Sequence, residues 1–399
     1  MSAVTTIRAE APRAMNAAQE CAVLRAAVRG GAAAPAIRER LGVLLNQLDA
    51  FAETVELLGA ADALGYHEQL LLAAAYFARN AEGDTDRALA ATSAAVSLAS
   101  NAHERAAALA DRARALFRLG RTEEARAALH DALREDPGNH EACKRLTVDL
   151  LLHGEAAAAL AVTDGLAAQQ VGHARLFEAQ ATALALMGEH DAARETLRLD
   201  DFLYQDVIAA PDGWDSLAAF NDALADELLA HPAIRYERHG TASVESWRID
   251  TLAAGDGPLA RVLIEQITAV AQRHADALAG TTHPWIAAAP HQSMLKSWCV
   301  ITEGSGYERW HMHPFGWMSG VYYVDVPAAV SEGADSDGCL MLGLSDRILS
   351  AEDAAAVGHH MVRPRPGLLA LFPSHAYHRT FPHRAAGKRI CVAFDIGPA

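Results

Sequence analysis

Three histidines near the end of the chain have the spacing of metal ligands. His311 and His313 lie two residues apart in the segment HMHPFGWMSGVYYV, and His378 follows a turn and an apolar run, PGLLALFPSHAYH. Residues two apart on a strand point to the same face, so the first two imidazoles can reach one ion. The β-prone run Val321–Val326 would give them a rigid neighbouring strand. We therefore expect His311, His313 and His378 to bind one metal ion, with no catalytic residue beyond these ligands.

Arg389 could hold a dicarboxylate beside that metal. The run RICVAFD alternates, so Arg389, Cys391 and Ala393 share one face of the last predicted strand. Arg389 follows His378 by eleven residues, and we expect the two to lie on adjacent antiparallel strands of a hairpin. Oxidative Fe(II) chemistry needs an ion held on one side, with open positions for O2 and a bidentate co-substrate. A guanidinium beside such an ion can clamp the far carboxylate of the co-substrate.

Two further residues are candidate contacts of the co-substrate. Tyr322 lies in the β-prone run beside Tyr323, where one ring could line the pocket and sheet packing is the simpler alternative. Ser319 precedes Gly320, a glycine that allows close approach of a ligand or marks a bulge.

The block from Lys296 to the C-terminus resembles the 2-oxoglutarate–Fe(II) oxygenase family that is often fused behind tetratricopeptide repeats. The matching stretches are KSWCVITEGSGYERWHMHPFGWMSGVYYVDVP, PGLLALFPSHAYHRTFP and KRICVAFD, and a looser match extends back to about residue 199. The resemblance implies a double-stranded β-helix (jelly roll) and the cofactors Fe(II) and 2-oxoglutarate. It also implies that His378 is the distal iron ligand and that Arg389 binds 2-oxoglutarate.

One position departs from the wider superfamily, whose usual ligands are His-x-Asp/Glu and a distal histidine. His313 stands at the acidic position, and the nearby carboxylates do not have the i, i+2 relation to His311; they are Glu308, Asp325 and Asp395. Either all three histidines bind iron or only two of them do. A neutral triad would leave the iron more positive and strengthen its hold on anionic 2-oxoglutarate.

The elements that would position these residues change character near residue 200. Residues 17–198 are rich in Ala, Leu, Arg and Glu with an apolar period of three to four, which predicts helices. Residues after 285 form short β-prone runs between Gly and Pro, which predicts strands and turns. Helices at Leu217–Leu229 and Leu259–Leu278 would buttress the second part. We predict an α+β multidomain protein, with a helical solenoid at 1–198 and a double-stranded β-helix domain at 199–399.

The first part contains an internal repeat. Gly120, Gly154 and Gly188 are 34 residues apart, and an alanine follows each glycine by five residues. The segment Ala106–Pro137 resembles a tetratricopeptide repeat, in which small residues let two helices pack closely and the glycine ends the first helix. Asp84–Ala99 resembles the second helix of an earlier repeat. The repeats predict a concave surface that binds a peptide or protein, with scaffolding or homodimerisation as the alternative role.

Composition excludes several classes of protein. The formal net charge of −16 argues against a nucleic-acid partner. Five scattered cysteines form no disulfide or zinc pattern, which suits a reducing compartment. The chain shows no signal peptide and no apolar stretch of membrane-spanning length, so we expect a cytoplasmic protein without a membrane partner.

These features favour an enzyme that uses O2 and 2-oxoglutarate to hydroxylate an unactivated C–H bond, on a peptide or protein recognised by the repeats. Three alternatives remain open. They are a small-molecule hydroxylase with scaffolding repeats, a three-histidine cupin-type dioxygenase that does not use 2-oxoglutarate, and a repeat adaptor without activity. The role of Arg389 separates the 2-oxoglutarate-dependent enzymes from the cupin-type dioxygenase, and iron binding separates the enzymes from the adaptor.

Overall fold

The computed structural model describes residues 4–31, 34–254 and 257–399. The chain divides into two compact units. One, here called the helical unit, is Met15–His153, and the other, here called the β unit, is Met1–Ala14 with Gly154–Ala399. No helix among the described residues has the length and apolar character that crossing a bilayer requires.

The helical unit is built from antiparallel helices joined by short loops. Its helices are α1 (Ala17–Arg29), α2 (Pro35–Gln47), α3 (Phe51–Gly59), α4 (Tyr66–Arg79), α5 (Asp84–Leu98), α6 (Ala102–Arg118), α7 (Thr122–Glu135) and α8 (His140–Leu152). The β unit adds the helices α9 (Ala156–Ala167), α10 (Ala174–Leu186), α11 (His190–Leu197), α12 (Leu199–Phe202), α13 (Leu217–Leu229), α14 (Pro258–Ala277), α15 (Pro284–Ala287), α16 (Ala328–Ser331) and α17 (Ala351–Val357).

The strands all belong to the β unit. They are β1 (Thr6–Ala9), β2 (Tyr204–Val207), β3 (Arg235–Tyr236), β4 (Ser243–Ile249), β5 (Gln292–Glu308), β6 (Met318–Asp325), β7 (Leu340–Gly343), β8 (His360–Val362), β9 (Leu368–Pro373), β10 (Tyr377–Thr380) and β11 (Lys388–Pro398).

The 34-residue spacing predicted from sequence corresponds to helix ends. Gly120, Gly154 and Gly188 have φ of 70°, 76° and 81°, and each stands between two consecutive helices. A residue with a side chain would pay about 1–2 kcal/mol in this left-handed conformation, which is why glycine ends the first helix of each pair. The alanine that follows each glycine by five residues is fully buried, as close helix packing requires; these are Ala125, Ala159 and Ala193.

The last helical pair is part of the core of the β unit. Ala185 on α10 and Leu197 on α11 belong to one cluster of buried side chains with Val300, Val321 and Tyr323 of the sheet. The boundary expected at residue 198 therefore falls inside this unit, because apolar packing joins helices of repeat-like sequence to the strands.

Two sheets share that core. The larger, eight-stranded sheet has the order β2-β9-β6-β11-β5-β4-β3, with β1 pairing parallel to the start of β5, and the smaller has the order β10-β7-β8. Apart from β1, the strand pairs are antiparallel. Leu342 of the small sheet and Phe372 of the large one lie in the same buried cluster. The predicted fold class, helical repeats followed by an antiparallel β domain, is confirmed.

Candidate metal centre

The three predicted histidines converge although two of them do not lie on a strand. His311 and His313 lie in the irregular segment between β5 and β6. His311 forms an isolated antiparallel bridge with His378, with N–H to O distances of 2.9 and 2.8 Å, and the N–H of His313 donates to Ser374 O at 3.1 Å. The expectation of a shared strand was wrong. These backbone bonds, to His378 on β10 and to Ser374 in the turn before it, bring the histidines together instead.

The ligand atoms of His311, His313 and His378 all lie within 4.8 Å of one another. The Nε2 atoms of His313 and His378 are 3.0 Å apart, and the ring centroids of His311 and His378 are 4.1 Å apart. With metal–nitrogen bonds of about 2.1 Å, two ligands at neighbouring octahedral positions are separated by about 3 Å. The cluster can therefore hold one metal ion without rearrangement of its closest pair.

Hydrogen bonds on the outer ring nitrogens leave the inner ones without a proton. The Nδ1 of His311 lies 2.7 Å from Arg309 O and the Nδ1 of His378 lies 3.1 Å from Ala376 O. A carbonyl oxygen can only accept, so each Nδ1 carries the proton and each Nε2 presents a lone pair. Converging lone pairs repel one another unless a cation lies between them. This is the donor set and tautomer that a metal site requires.

Burial keeps two of these rings neutral. Desolvation, followed by the nearby charge of His313, lowers the pKa of His311 to about 3. Desolvation, followed by the other two histidines, lowers the pKa of His378 well below its usual value. Both imidazoles are thus neutral across the physiological range, with the proton on Nδ1 and the lone pair of Nε2 available to a metal.

The third ring has a carboxylate partner. The Nδ1 of His313 lies 3.0 Å from the carboxylate of Asp395. Asp395 accepts in turn from the Ser319 hydroxyl at 2.7 Å, and Ser319 Oγ lies 2.7 Å from Ser374 Oγ. Asp395 therefore does not replace His313 as a ligand. It orients the ring from behind and supplies the negative charge that the triad lacks.

Arg389 lies in the same cavity as the histidines. Its side chain is 2% exposed; Nη1 donates to Gly338 O at 2.7 Å and Nη2 to Thr380 Oγ1 at 3.2 Å. Its Nε has no hydrogen-bond partner, and within the described residues no carboxylate forms an ion pair with it. A buried guanidinium held by only two neutral oxygens can accommodate an anion.

The cavity has a volume of about 290 Å³. Cys391 and Ala393 line it beside Arg389, as the alternation of β11 predicted. The prediction of a hairpin with His378 on the adjacent strand was wrong. His378 lies on β10 of the small sheet, whereas Arg389 lies on β11 of the large one, so the two side chains reach the shared interior from different sheets.

The structure does not bring Tyr322 and Ser319 to this cavity. The Tyr322 hydroxyl donates to Asn221 Oδ1 at 2.7 Å on the opposite face of β6, and it is Tyr323 that lines the cavity. Alternation along the strand separates the two tyrosines. Ser319 contacts Asp395 behind His313 rather than the cavity.

Sequence reasoning missed two arginines of the cavity, Arg238 and Arg248. Both come from a segment that was expected only to buttress the domain. The alternating run SVESWRI, which forms β4, contained the signal. An arginine inside a β-prone run, with its neighbours on the opposite face, is a candidate for a buried functional charge.

Two parts of the chain match known protein families. Residues 296–395 match the family described as "Putative 2OG-Fe(II) oxygenase", and residues 106–148 match the tetratricopeptide repeat. The chain therefore carries an oxidoreductase domain of the 2-oxoglutarate–Fe(II) oxygenase class, which uses O2, and a tetratricopeptide repeat. The family implies Fe(II) and 2-oxoglutarate as cofactors, as the sequence predicted. No curated protein matches the chain significantly.

Several solved structures are similar over part of the chain. A prolyl-4-hydroxylase from Pseudomonas putida is 17% identical, with 50% of this chain and 95% of that chain covered and a TM-score of 0.33. HygX from Streptomyces hygroscopicus, with nickel and 2-oxoglutarate bound, is 13% identical, with 51% and 85% covered and a TM-score of 0.33. A tetratricopeptide repeat protein from Parabacteroides merdae is 18% identical, with 45% and 63% covered and a TM-score of 0.29. Likenesses of this size do not indicate a substrate.

Proposed function

We propose that this protein is an Fe(II)- and 2-oxoglutarate-dependent hydroxylase of unactivated C–H bonds, with His311, His313 and His378 as the iron ligands. The observation that carries the proposal is that a metal-ligand cluster and a buried guanidinium line one cavity. The Nε2 lone pairs of the histidines converge there, and the Nε of Arg389 has no hydrogen-bond partner among the described residues. The histidines suit Fe(II), and the guanidinium suits the distal carboxylate of 2-oxoglutarate.

The protein's own residues would bind the iron, orient the 2-oxoglutarate and limit the access of water. When bound, iron together with O2 and 2-oxoglutarate supplies the oxidising chemistry that hydroxylates the substrate as succinate and CO2 form. The three imidazoles, which line the cavity together, would hold the ion. Arg389 would orient the co-substrate by a charge-assisted contact with its distal carboxylate. Val300, Val321 and Phe372 give the cavity apolar walls that limit the access of water.

The proposed substrate is a side chain of a peptide or protein. A cavity of about 290 Å³ is at the small end of ligand pockets, and 2-oxoglutarate would occupy much of it. The remaining space suits one side chain better than a large free metabolite. The tetratricopeptide repeat adds a type of surface that commonly binds extended peptides. The location in this proposal is the cytoplasm, which agrees with five free, buried cysteines.

A small-molecule hydroxylase is the second candidate, because the β unit contains the whole cavity. Peptide arrays treated with the full chain and with residues 154–399 separate the two functions. Hydroxylated peptides would be identified by a mass gain of one oxygen atom. If the repeats recognise the substrate, only the full chain modifies peptides efficiently. Equal modification by the fragment would show that the helical unit does not deliver them.

Anaerobic titration with Fe(II) and 2-oxoglutarate tests the proposed chemistry directly. The complex should show the visible charge-transfer band of 2-oxoglutarate chelated to Fe(II). The variant His378→Ala should lose both iron and the band. His313→Asp should retain iron, because it restores the common carboxylate ligand. Stoichiometric iron in His378→Ala would contradict the assigned site, and iron binding without the band would favour a cupin-type enzyme.

A further inference from the structure

The hairpin formed by β3 and β4 places charged side chains on the wall of the metal cavity. Arg238, in the loop between the two strands, and Arg248, on β4, both line the cavity. Asp250 lines it at the end of β4. Arg235, on β3, also contacts Asp250 but does not line the cavity. Neither cavity arginine belongs to the histidine cluster, and the proposed role in binding 2-oxoglutarate belongs to Arg389.

The carboxylate of Asp250 is shared by three guanidiniums. Its Oδ2 accepts from Arg235 at 2.7 Å. Its Oδ1 accepts from Arg238 at 3.2 Å and lies 3.5 Å from Arg248 Nε. Burial opposes the ionisation of Asp250, but the three cations outweigh it and hold its pKa below the usual range. One negative charge therefore faces three positive charges.

Glu308 is a weak counter-ion for this group. Its Oε1 lies 3.9 Å from Arg248 Nη1, a long separation for an ion pair, and accepts from the Ser243 hydroxyl at 2.6 Å. Burial raises the pKa of Glu308 in spite of the nearby Arg248, and even an ionised Glu308 leaves only two carboxylates against the three guanidiniums. The Nε of Arg238 is also buried without a hydrogen-bond partner. The wall thus keeps a positive charge that the described residues do not neutralise.

This wall is separate from the guanidinium of Arg389. Val300 on β5 pairs with both Arg248 on β4 and Cys391 on β11, so two strand spacings separate Arg248 from β11. Arg389 lies two residues along β11 from Cys391. With about 4.8 Å between strands and about 3.4 Å per residue, the two arginine Cα atoms are on the order of 10 Å apart. The two guanidiniums also have different partners: Arg248 donates to Ser243 Oγ and lies beside Asp250, whereas Arg389 donates to Gly338 O and Thr380 Oγ1.

We propose that Arg238 and Arg248 form a second anion subsite in this cavity, which binds a carboxylate of the primary substrate. The inference rests on the proposed function, in which Arg389 takes 2-oxoglutarate. A carboxylate near Arg238 would offset the excess positive charge and accept from donors that the protein leaves free. The carboxylate could be an acidic side chain within a peptide or a main-chain carboxylate, and matched probes separate these two sources.

The test uses the full chain loaded anaerobically with Fe(II) and 2-oxoglutarate, titrated calorimetrically with three probes of similar size. N-acetylglutamate α-amide carries only a side-chain carboxylate, N-acetylglutamine carries only a main-chain carboxylate, and N-acetylglutamine α-amide carries neither. At least one acidic probe should bind more than about tenfold tighter than the neutral one, as a charge-assisted contact requires. The preferred acid identifies the source of the carboxylate. Equal affinities, or no binding of any probe, would overturn the subsite.

Three variants distinguish arginines that bind the carboxylate of the probe from arginines that only support Asp250. Arg238→Gln should remove the preference for the acidic probe, and Arg238→Lys, which keeps the charge, should retain part of it. Arg235→Gln is the matched control, since Arg235 binds Asp250 but does not line the cavity. If it removes the preference as fully as Arg238→Gln, the arginines only support Asp250 and the subsite is wrong.

Binding of 2-oxoglutarate, measured in parallel, distinguishes a failure of the subsite from a failure of the proposed function. If the unmodified protein forms no complex with 2-oxoglutarate, the proposed function fails whatever the probes do. If that complex forms and no acidic probe is preferred, only the subsite fails. If Arg238→Gln weakens 2-oxoglutarate rather than the acidic probe, the wall belongs to the co-substrate, which also overturns the subsite.

Discussion

The carboxylate of Asp395 lies 3.0 Å from the Nδ1 of His313, whereas the other two histidines of the cluster donate to backbone carbonyls. The ring at the position where the superfamily usually has an acidic ligand is thus the one ring of the three with a carboxylate behind it. The negative charge that the superfamily usually places on a metal ligand is carried here by Asp395, which lies behind the imidazole of His313.

Removing the carboxylate of Asp395 should weaken metal binding, and removing only its charge should have a smaller effect. Asp395→Asn can still accept from His313 but lacks the charge, and Asp395→Ala loses both functions. We expect the alanine variant to bind metal about 10–100-fold more weakly and the asparagine variant to be intermediate. Chelator competition with Fe(II) under anaerobic conditions measures both. Asp325→Asn, which changes an exposed carboxylate on β6, should bind metal normally. Unchanged metal affinity in Asp395→Ala would exclude this role.

Substitution of Arg389 should affect the co-substrate and spare the metal. Loss of one partner of a buried charge pair typically costs about 2–5 kcal/mol. Arg389→Ala should therefore raise the concentration of 2-oxoglutarate needed for half-saturation by more than about tenfold. Titration of the charge-transfer band, with iron content measured in parallel, checks the effect. Lys388→Ala is the control, since Lys388 is 41% exposed and pairs with Glu303 at the surface. An unchanged requirement in Arg389→Ala would favour the cupin-type alternative.

Gly320 allows two strands and an aromatic ring to approach closely. A Cβ at this position would meet Ala370 O at 2.6 Å and would also contact the ring of Phe394. Neither a strand carbonyl nor a buried ring can move aside cheaply, so Gly320→Ala should cost about 1–3 kcal/mol of stability. Chemical denaturation measures this loss. Gly165→Ala, on α9 with open space around it, should instead be neutral or stabilising by about 0.5–1 kcal/mol. Equal effects would mean that crowding at Gly320 is not the cause.

Asp84 should make the stability of the helical unit depend on acid pH. Its hydrogen bonds to Arg79, at 2.6 and 2.9 Å, are the main cause that lowers its pKa to about 2. A carboxylate with a lowered pKa stabilises the fold above its unfolded pKa of about 4, and the benefit disappears as the pH falls towards 2. Asp84→Asn should therefore lower the melting temperature at pH 7 and differ little from the unmodified chain near pH 2. The exposed Asp86 provides the control Asp86→Asn. A pH-independent difference would contradict this linkage.

The β unit should need helices from the repeat-like part of the sequence. Ala181, Ala185, Ala193 and Leu197 lie in the core cluster shared with the sheets, so residues 154–399 should be markedly more stable than residues 200–399. Thermal unfolding followed by circular dichroism compares the two fragments. Both lack β1, so its absence does not bias the comparison. Equal melting temperatures would show that this packing contributes little.

Local patterns in the sequence determined much of the fold and the main chemical groups. The helix period and the 34-residue spacing predicted the repeat helices, because glycine and alanine act there through local backbone geometry. The alternation of β11 placed Arg389 beside Cys391 and Ala393 on one face, and the same alternation includes Asp395, whose role could have been recognised from it.

Tertiary structure alone decided which groups meet. Alternation says that Tyr322 and Tyr323 face opposite ways, but only the packing of β6 determines which of them lines the cavity. Pairing of β10 and β11 with different partners put His378 and Arg389 in separate sheets. Arg238 and Arg248 reached the metal cavity through a hairpin distant in sequence from the histidines. Such contacts depend on register and sheet packing over long sequence separations, so a local pattern that predicts a buried arginine does not say which cavity that arginine reaches.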